Sequence, residues 1–376
     1  MESLESACSP ADLRLGLDRL PPSPDVVYQA ALDRISGHQS KNKHRLAMCA
    51  LTWLVFAQRP LSVGELLHAV AIQPSDTELH LVTAETLTSA CAGLLGVNVE
   101  TRDVGLAHYS VKEYLERHAP VEMQRVKNTM AETCLLYLMQ KEFGERAQSD
   151  KEKALQKQNY PFYSYAADHG GTHLRLMNVS TGEKEKQKDT YQLALRFLFD
   201  GNKVINAIQS MSDYRIRSER MVSALHLAAY FGLDELTKKL IKKDFPPNTV
   251  TRCQETALHW AALYQYHDVV AALVTAGANV NIVDSDGKTA LHQAVMKEDV
   301  ASVDALLAAA PHVDLELEDR QQWTPLRWAA AYGNCTLIKK LVTDGRAKIE
   351  AEDRNGFTAL RWEVKRGHEA AINTLW

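Results

Sequence analysis

Three histidines recur at one spacing near the C-terminus, and imidazole is a side chain that can bind a metal ion. His226, His259 and His292 are evenly spaced, so each occupies the same position in a repeated segment. Equivalent side chains of stacked helices lie about 8–10 Å apart, whereas zinc holds its nitrogen ligands at about 2 Å. The three histidines therefore cannot share one ion, and we expect them to form hydrogen bonds between neighbouring repeats.

A second pair of residues, His108 and Ser110, could in principle do nucleophilic chemistry. The pair lacks an acidic residue to orient the imidazole, and Ser110 is better explained as the start of a capping box with Glu113. The chain contains no Gly-x-x-x-x-Gly-Lys loop, no Gly-x-Ser-x-Gly turn, no His-Glu-x-x-His motif and no zinc-type cysteine cluster. We therefore predict a protein that is not an enzyme, with no catalytic residue, metal site or cofactor.

The recurring histidines belong to a longer phrase that occurs five times. It reads Ser223-Ala-Leu-His226, Thr256-Ala-Leu-His259, Thr289-Ala-Leu-His292, Thr324-Pro-Leu-Arg327 and Thr358-Ala-Leu-Arg361. The phrase recurs with a period of about 33 residues, which together with this signature is typical of ankyrin repeats. The pattern predicts an ankyrin-repeat α-solenoid over residues 221–376, with about five repeats. The last repeat is incomplete, because Ile372, Leu375 and Trp376 have no following repeat to cover them. We expect a chain truncated at its C-terminus or a decayed gene.

Ankyrin repeats bind proteins, so we expect a protein partner on the concave face and the finger loops. The first candidates are aromatic residues four positions after a repeat start: Trp260, Trp328 and Trp362. One helical turn later come Phe231, Tyr264 and Tyr332. Tryptophan and tyrosine often dominate binding energy, although the same rings could instead pack between adjacent repeats. The finger tips supply a second set of candidates: Asp284, Asp286, Lys288, Trp323, Arg354 and Phe357.

The N-terminal half has a different pattern. Residues 41–120 read as three helices, the second opened by a Ser62–Glu65 capping box, followed by a hairpin at 95–99 and 104–107. This is the order of a winged-helix domain. Residues 41–117 contain seven Lys or Arg against eight Asp or Glu, and the third helix, near 84–92, contains no Lys or Arg. Because DNA affinity depends largely on such cations, a structural or switch role is favoured, and a nucleic-acid-binding regulator is the alternative.

The rest of the chain completes a mainly α protein. Residues 121–220 read as a helical linker region with a flexible loop near 178–189, where hydrophobic residues are scarce. The 376 residues are enough for two or three domains, and the net charge is −4. No segment approaches 18 apolar residues in a row, and the start lacks the features of a signal peptide. Six cysteines without paired spacing suit a reducing compartment. The sequence therefore predicts a cytoplasmic location, with the nucleus as the alternative.

The N-terminal region also resembles a known family. Leu20-Pro21, followed by Tyr28 and Ile35, looks like the end of a NACHT-type NTPase module. Trp53–Leu61 with Glu65-Leu66, and the segment Ala107–Leu115, resemble the winged helix that follows such a module. In fungi, proteins of the STAND class, which are NOD-like-receptor-type NTPases, carry ankyrin repeats after this region.

The resemblance implies a specific organisation. Residues 1–40 would be the end of a NACHT-type helical lobe, residues 41–120 the winged helix, 121–220 the linker and 221–376 the repeats. The chain would be a scaffold or sensor region, and an NTPase module, in cis in a longer protein or in trans, would be a partner. No phosphate-binding loop is present, so nucleotide binding does not carry over to these residues. The alternatives are a nucleic-acid-binding regulator and a decayed receptor fragment.

Overall fold

The protein is mostly α-helical, with one small antiparallel sheet. The computed structural model describes residues 23–38, 40–72, 81–98, 103–143, 150–177, 184–213, 221–309, 312–343, 347–352 and 356–367. The chain divides into two compact units, one of residues 1–140 and 148–166 and one of residues 141–147 and 167–376. No helix within the described ranges combines the length and the apolar character that crossing a membrane requires. The predicted fold class, mainly α with a small α+β domain, is confirmed.

The first unit begins with helices and a short sheet. Its helices are α1 (Pro24–His38), α2 (Lys41–Phe56), α3 (Val63–Ala71), α4 (Ala84–Ala90), α5 (Tyr109–Arg117), α6 (Val121–Leu138), α7 (Asp150–Asn159) and the first part of α8 (Phe162–Arg175). Its strands are β1 (Leu61–Ser62), β2 (Leu95–Val97) and β3 (Asp103–Leu106).

Helix α2 forms the centre of this unit. Trp53 is 1% exposed, and its ring meets the edges of Phe162 at 5.3 Å and Tyr165 at 5.8 Å. Leu51 on the same helix is fully buried. Burial of such side chains contributes about 1.5–3 kcal/mol each. Helix α2 is central because it packs against α1, α3, α4, α5, α6 and β3.

The sheet is a wing with one strand more than the sequence pattern indicated. Strand β3 lies between β1 and β2, and it pairs antiparallel with both, with Leu61 opposite Val104 and Leu95 opposite Leu106. The Ser62–Glu65 capping box forms as predicted at the start of α3. Glu65 is further held by Arg59, whose guanidinium lies 2.6 Å from the carboxylate.

The predicted second capping box at Ser110 is wrong. Helix α5 is capped by His108, whose Nδ1 accepts a hydrogen bond from the Ser110 backbone N–H at 3.3 Å. Ser110 therefore lies in the first turn of the helix, and Glu113 is not at the position from which a capping box could close. The Ser110 hydroxyl instead hydrogen-bonds His108 Nδ1 at 2.6 Å and the Tyr28 hydroxyl at 2.7 Å.

The second unit contains a one-turn 3-10 helix at Lys141–Phe143 and the later helices. These are α9 (Lys184–Phe199), α10 (Gly201–Ser210), α11 (Ala224–Phe231), α12 (Asp234–Ile241), α13 (Ala257–Leu263), α14 (His267–Thr275), α15 (Ala290–Met296), α16 (Val300–Ala309), α17 (Pro325–Tyr332), α18 (Cys335–Thr343) and α19 (Ala359–Arg366).

The predicted loop near 178–189 is wrong in its second half, where residues 184–189 form the start of α9. Lys, Glu and Gln are good helix formers, and the later turns of α9 bury Ala194 and Leu198. A helix anchored by these residues can extend backwards through the charged segment. Residues 178–183 lie outside the described residues.

The repeats form two layers of helices. Helices α11, α13, α15, α17 and α19 stack in one layer, here called the inner helices, and α12, α14, α16 and α18 stack in the other. The extended loop that precedes an inner helix is here called a finger, and it contains a tight turn. Gly287, at φ +77°, lies in one such turn, where a Cβ atom would come within 3.1 Å of the Asp319 backbone. Neighbouring fingers therefore pack backbone to backbone.

Candidate functional site

The recurring histidines join each repeat to the next. In the second repeat, His259 Nδ1 accepts from the Thr256 backbone N–H at 3.1 Å, and Nε2 donates to the Lys288 carbonyl at 3.0 Å. His226 and His292 make the same bonds, and they donate to the Glu255 and Trp323 carbonyls, both at 3.0 Å. The predicted inter-repeat hydrogen bonds are confirmed. Burial lowers the pKa of His259 and of His292.

Arginine takes over this role in the fourth repeat. Arg327 is 1% exposed, and its Nη2 donates to the Ala351 carbonyl at 2.7 Å. Its Nη1 donates to the Gln322 carbonyl. In the fifth repeat Arg361 is exposed and donates to the Gly356 carbonyl at 2.6 Å. Among the described residues no group of His, Cys, Asp and Glu could hold a metal ion.

A buried carboxylate fixes each of two fingers to its inner helix. Asp284 accepts from the backbone N–H groups of Asp286 and Lys288, both at 2.8 Å, and from the Gln293 side chain at 3.2 Å. Only 8% of Asp284 is exposed. Asp284 is therefore not at an open finger tip, because its carboxylate is buried and accepts hydrogen bonds within the repeat, and its part in partner binding stays a prediction.

The fourth repeat has the same arrangement with an indole in place of the amide. Asp319 accepts from the backbone N–H groups of Gln321 and Trp323, both at 2.9 Å, and from Trp328 Nε1 at 2.9 Å. Asp319 was not a candidate from the sequence. Its position in the repeat, five residues before Thr324, matches that of Asp284 before Thr289 and could have identified it.

Two of the predicted partner-binding aromatics are buried. Trp260 is 1% exposed, donates its indole N–H to Glu255 Oε2 at 2.8 Å, and lies against the His226 ring at 5.1 Å. Phe231 is 9% exposed, and a Cβ atom added to Gly171 would overlap its ring. Both residues are core, because neighbouring elements cover them. Their predicted place on an open surface is corrected accordingly.

Five of the other aromatic candidates form one continuous surface, here called the aromatic ladder. Successive ring centres are 5.8, 4.7, 4.9 and 5.6 Å apart, in the order Tyr332, Trp328, Trp323, Trp362 and Phe357. Tyr332 is 41% exposed, and the other four rings are partly exposed. The finger residues Trp323 and Phe357 and the inner-helix residues thus belong to a single surface instead of two.

The other candidates lie apart from the ladder. Tyr264 is partly exposed and donates its hydroxyl to Asp213 at 3.3 Å. Asp286 is exposed and lies 3.5 Å from Arg320 on the next finger, and Lys288 is partly exposed. Arg354 lies outside the described residues.

Two cations beside the ladder were missed by the sequence reasoning. Lys365 Nζ lies 4.8 Å from the Trp362 ring centre and 5.0 Å from that of Phe357. The Arg366 guanidinium lies 6.0 Å from the Trp362 ring. Arg366 follows its repeat start by eight positions, as Tyr332 does, so the repeat register could have indicated it.

Two family models match separate parts of the chain. Residues 225–319 match a family model of ankyrin repeats, in three copies, and residues 35–123 match a model described as the winged helix domain of GPI inositol-deacylase. The chain is also similar to azaphilone pigments biosynthesis cluster protein L of Monascus ruber, with 25% identity over 265 residues. That match covers 63% of this chain and 54% of the relative, so the chain spans about half of the relative's length.

The matches establish the coarse character of the two regions. The chain contains non-catalytic ankyrin repeats, which support a protein-interaction role, and a winged-helix domain. The fourth and fifth repeats lie outside the matched range, and the structure places in them the inner helices α17 and α19, which stack on each other.

Proposed function

We propose that this chain is the non-enzymatic, partner-binding part of an NLR-like (STAND) receptor or scaffold. The ankyrin repeats bind a protein partner, and the winged helix relays the state of an NTPase module. One observation carries the binding proposal: at equivalent repeat positions Trp260 is covered, whereas Trp328 and Trp362 belong to a partly exposed ladder.

The ladder has the composition of a binding hot spot. Trp and Tyr are the residues most often found at the energetic centre of protein interfaces. The ladder has four of these side chains and one phenylalanine, and its five rings bring a large apolar area to one place. The conformational cost of binding is low, because the rings already hold each other in position. The exposed finger residues Asp286 and Arg320 would lie in the polar rim that surrounds such a centre.

The winged helix supports a relay role better than a DNA-binding role. Helix α4, which occupies the place of a recognition helix, has the sequence Ala-Glu-Thr-Leu-Thr-Ser-Ala and carries no Lys or Arg. Phosphate contacts supply most of the non-specific affinity for DNA. The NTPase module, in cis in a longer protein or in trans, is the partner that the resemblance implies for this domain.

The binding proposal can be tested by photo-crosslinking in extracts of the source cells, followed by quantitative mass spectrometry. The variant Tyr332→Ala/Trp362→Ala changes the ladder, and Lys242→Ala/Lys243→Ala is a control on exposed residues of another repeat. We expect the wild type and the control to retain the same cross-linked proteins and the ladder variant to lose them. Equal recovery by all three proteins would contradict binding through the ladder. Thermal unfolding of each variant checks that the fold is intact.

A further inference from the structure

The cations at one end of the aromatic ladder limit the charge of its ligand. The Trp362 ring has Lys365 and Arg366 over it, and the Phe357 ring has Lys365. The negative face of an aromatic ring attracts cations. Lys365 and Arg366 already lie over these two rings, so the rings are not open to a cation of the ligand. A positively charged ligand group would meet like charge, whereas a carboxylate would meet two cations.

The last inner helix contains three basic residues and one acidic residue, Glu363. Helix α19 carries Arg361, Lys365 and Arg366, all exposed. The ion pairs among the described residues include none of these three. The helix therefore presents cations that a partner's acidic group can approach from solvent.

The length of the ladder limits the size of the ligand. Four ring-to-ring steps of 4.7–5.8 Å separate Tyr332 from Phe357. An extended peptide rises about 3.3 Å per residue, so a segment of at most about six residues would follow the ladder from one end to the other. A single small anion would leave most of the aromatic area uncovered.

We propose that the aromatic ladder, together with Lys365 and Arg366, binds an extended acidic peptide of the partner protein. Apolar side chains of the peptide pack on Tyr332 and Trp328, and a carboxylate lies beside Lys365 and Arg366. This inference rests on the proposed function and adds to it the chemistry of the bound segment and the end of the ladder at which its acidic group lies.

A nucleic acid fits the same surface less well. The finger that precedes α17 carries the exposed carboxylates of Asp314 and Glu318. A polyanion with a charge on every residue would be repelled there, whereas a peptide can place its acidic residue only at the cationic end. The charge pattern of the repeat therefore favours the peptide.

The test uses the whole chain and three synthetic twelve-residue peptides of one apolar pattern. The first carries two glutamates at one end of a run of phenylalanines and leucines, the second has glutamine in place of each glutamate, and the third has lysine. Binding is followed by fluorescence anisotropy of a dye on the peptide. We expect the glutamate peptide to bind tightest and the lysine peptide weakest, with an affinity for the glutamate peptide that falls as salt is added.

Matched variants locate the effect. Lys365→Glu/Arg366→Glu should weaken binding of the glutamate peptide by about fivefold or more, since each exposed ion pair contributes modestly, and should improve binding of the lysine peptide. Lys242→Glu/Lys243→Glu, with the same change of charge in another repeat, should leave both unchanged. Tyr332→Ala should weaken all three peptides.

The outcomes separate this inference from the proposed function. Equal affinity for the three peptides, or equal loss in both charge-reversed variants, would overturn the acidic-peptide inference. If no peptide binds while Tyr332→Ala/Trp362→Ala still abolishes cross-linking of natural partners, the inference fails and the proposed function stands. If that variant keeps its cross-linked partners, the proposed function itself fails.

Discussion

Trp328 donates its indole N–H to Asp319, nine positions earlier in the chain, at 2.9 Å. The same carboxylate caps the finger turn through two backbone N–H groups. One acidic side chain therefore holds the finger and orients a ring of the aromatic ladder. This partly buried bond therefore links the finger to the position of the Trp328 ring in the ladder.

Replacing Asp319 with Ala should lower the free energy of unfolding by about 3 kcal/mol, because three hydrogen bonds to a charged group are lost and their donors are left inside the repeat. Trp328→Phe keeps the ring but removes the indole donor, and should cost about 1–2 kcal/mol. Urea unfolding of both single variants and the double variant measures the coupling. An additive double variant would show that the bond contributes nothing. The exposed Asp286→Ala is the control and should change stability by less than about 0.5 kcal/mol.

Trp260→Ala and Trp362→Ala should separate stability from binding. Trp260 is 1% exposed, so its truncation should cost about 3–5 kcal/mol. Trp362 is partly exposed, so Trp362→Ala should lower the free energy of unfolding clearly less than Trp260→Ala does. The same variant should lose partner binding. Thermal unfolding together with the cross-linking assay measures both properties. A smaller stability loss for Trp260→Ala than for Trp362→Ala would contradict the burial seen here.

Gly171→Ala should destabilise the packing around Phe231 of the first repeat, because the added Cβ atom would overlap the Phe231 ring. Overpacking of this kind costs about 1–3 kcal/mol. Gly171→Ala should destabilise the protein less when Phe231 is also changed to Leu, because the smaller side chain leaves room for the added methyl group. Equal destabilisation in both backgrounds is expected if the two residues act independently. Gly201→Ala is the matched control, since nothing lies within 4 Å of its added methyl group.

Stability should fall as the pH is lowered below about 6.5, the ordinary pKa of histidine. Burial lowers the pKa of His259 and His292, and burial together with His169 lowers that of His173 to about 4. Below pH 6.5 the unfolded chain binds protons that the folded chain does not. The contribution of these histidines to the free energy of unfolding is therefore complete above pH 6.5, and it is lost as the pH falls toward their pKa values in the folded state.

Urea midpoints at pH 7.5, 6 and 5 measure this loss. His292→Gln removes one titrating group while keeping a side-chain donor, so it should be less stable at pH 7.5 but lose less on acidification. The exposed His267→Gln is the control. An equal acid-induced loss in His292→Gln and in the wild type would rule out a contribution from His292.

Local rules determined much of this protein. A Thr or Ser followed three positions later by a His closes a capping box within a single helical turn. The sequence alone therefore determined where these inner helices begin. It also determined that they recur at a nearly constant period. The winged-helix order was readable for the same reason, because the Ser62 capping box and the strand pattern are local. Where two local rules competed, as at His108 and Ser110, only the structure decided which residue caps α5.

The exposure of each ring was decided by tertiary structure alone. Trp260 and Trp328 follow their repeat starts by the same four positions, yet His226 and Tyr230 of the preceding repeat cover Trp260. Trp328 instead extends the ladder with Trp323 and Tyr332. The burial of a side chain depends on what the neighbouring repeat places over it, a full repeat away in sequence, and no local pattern carries that information.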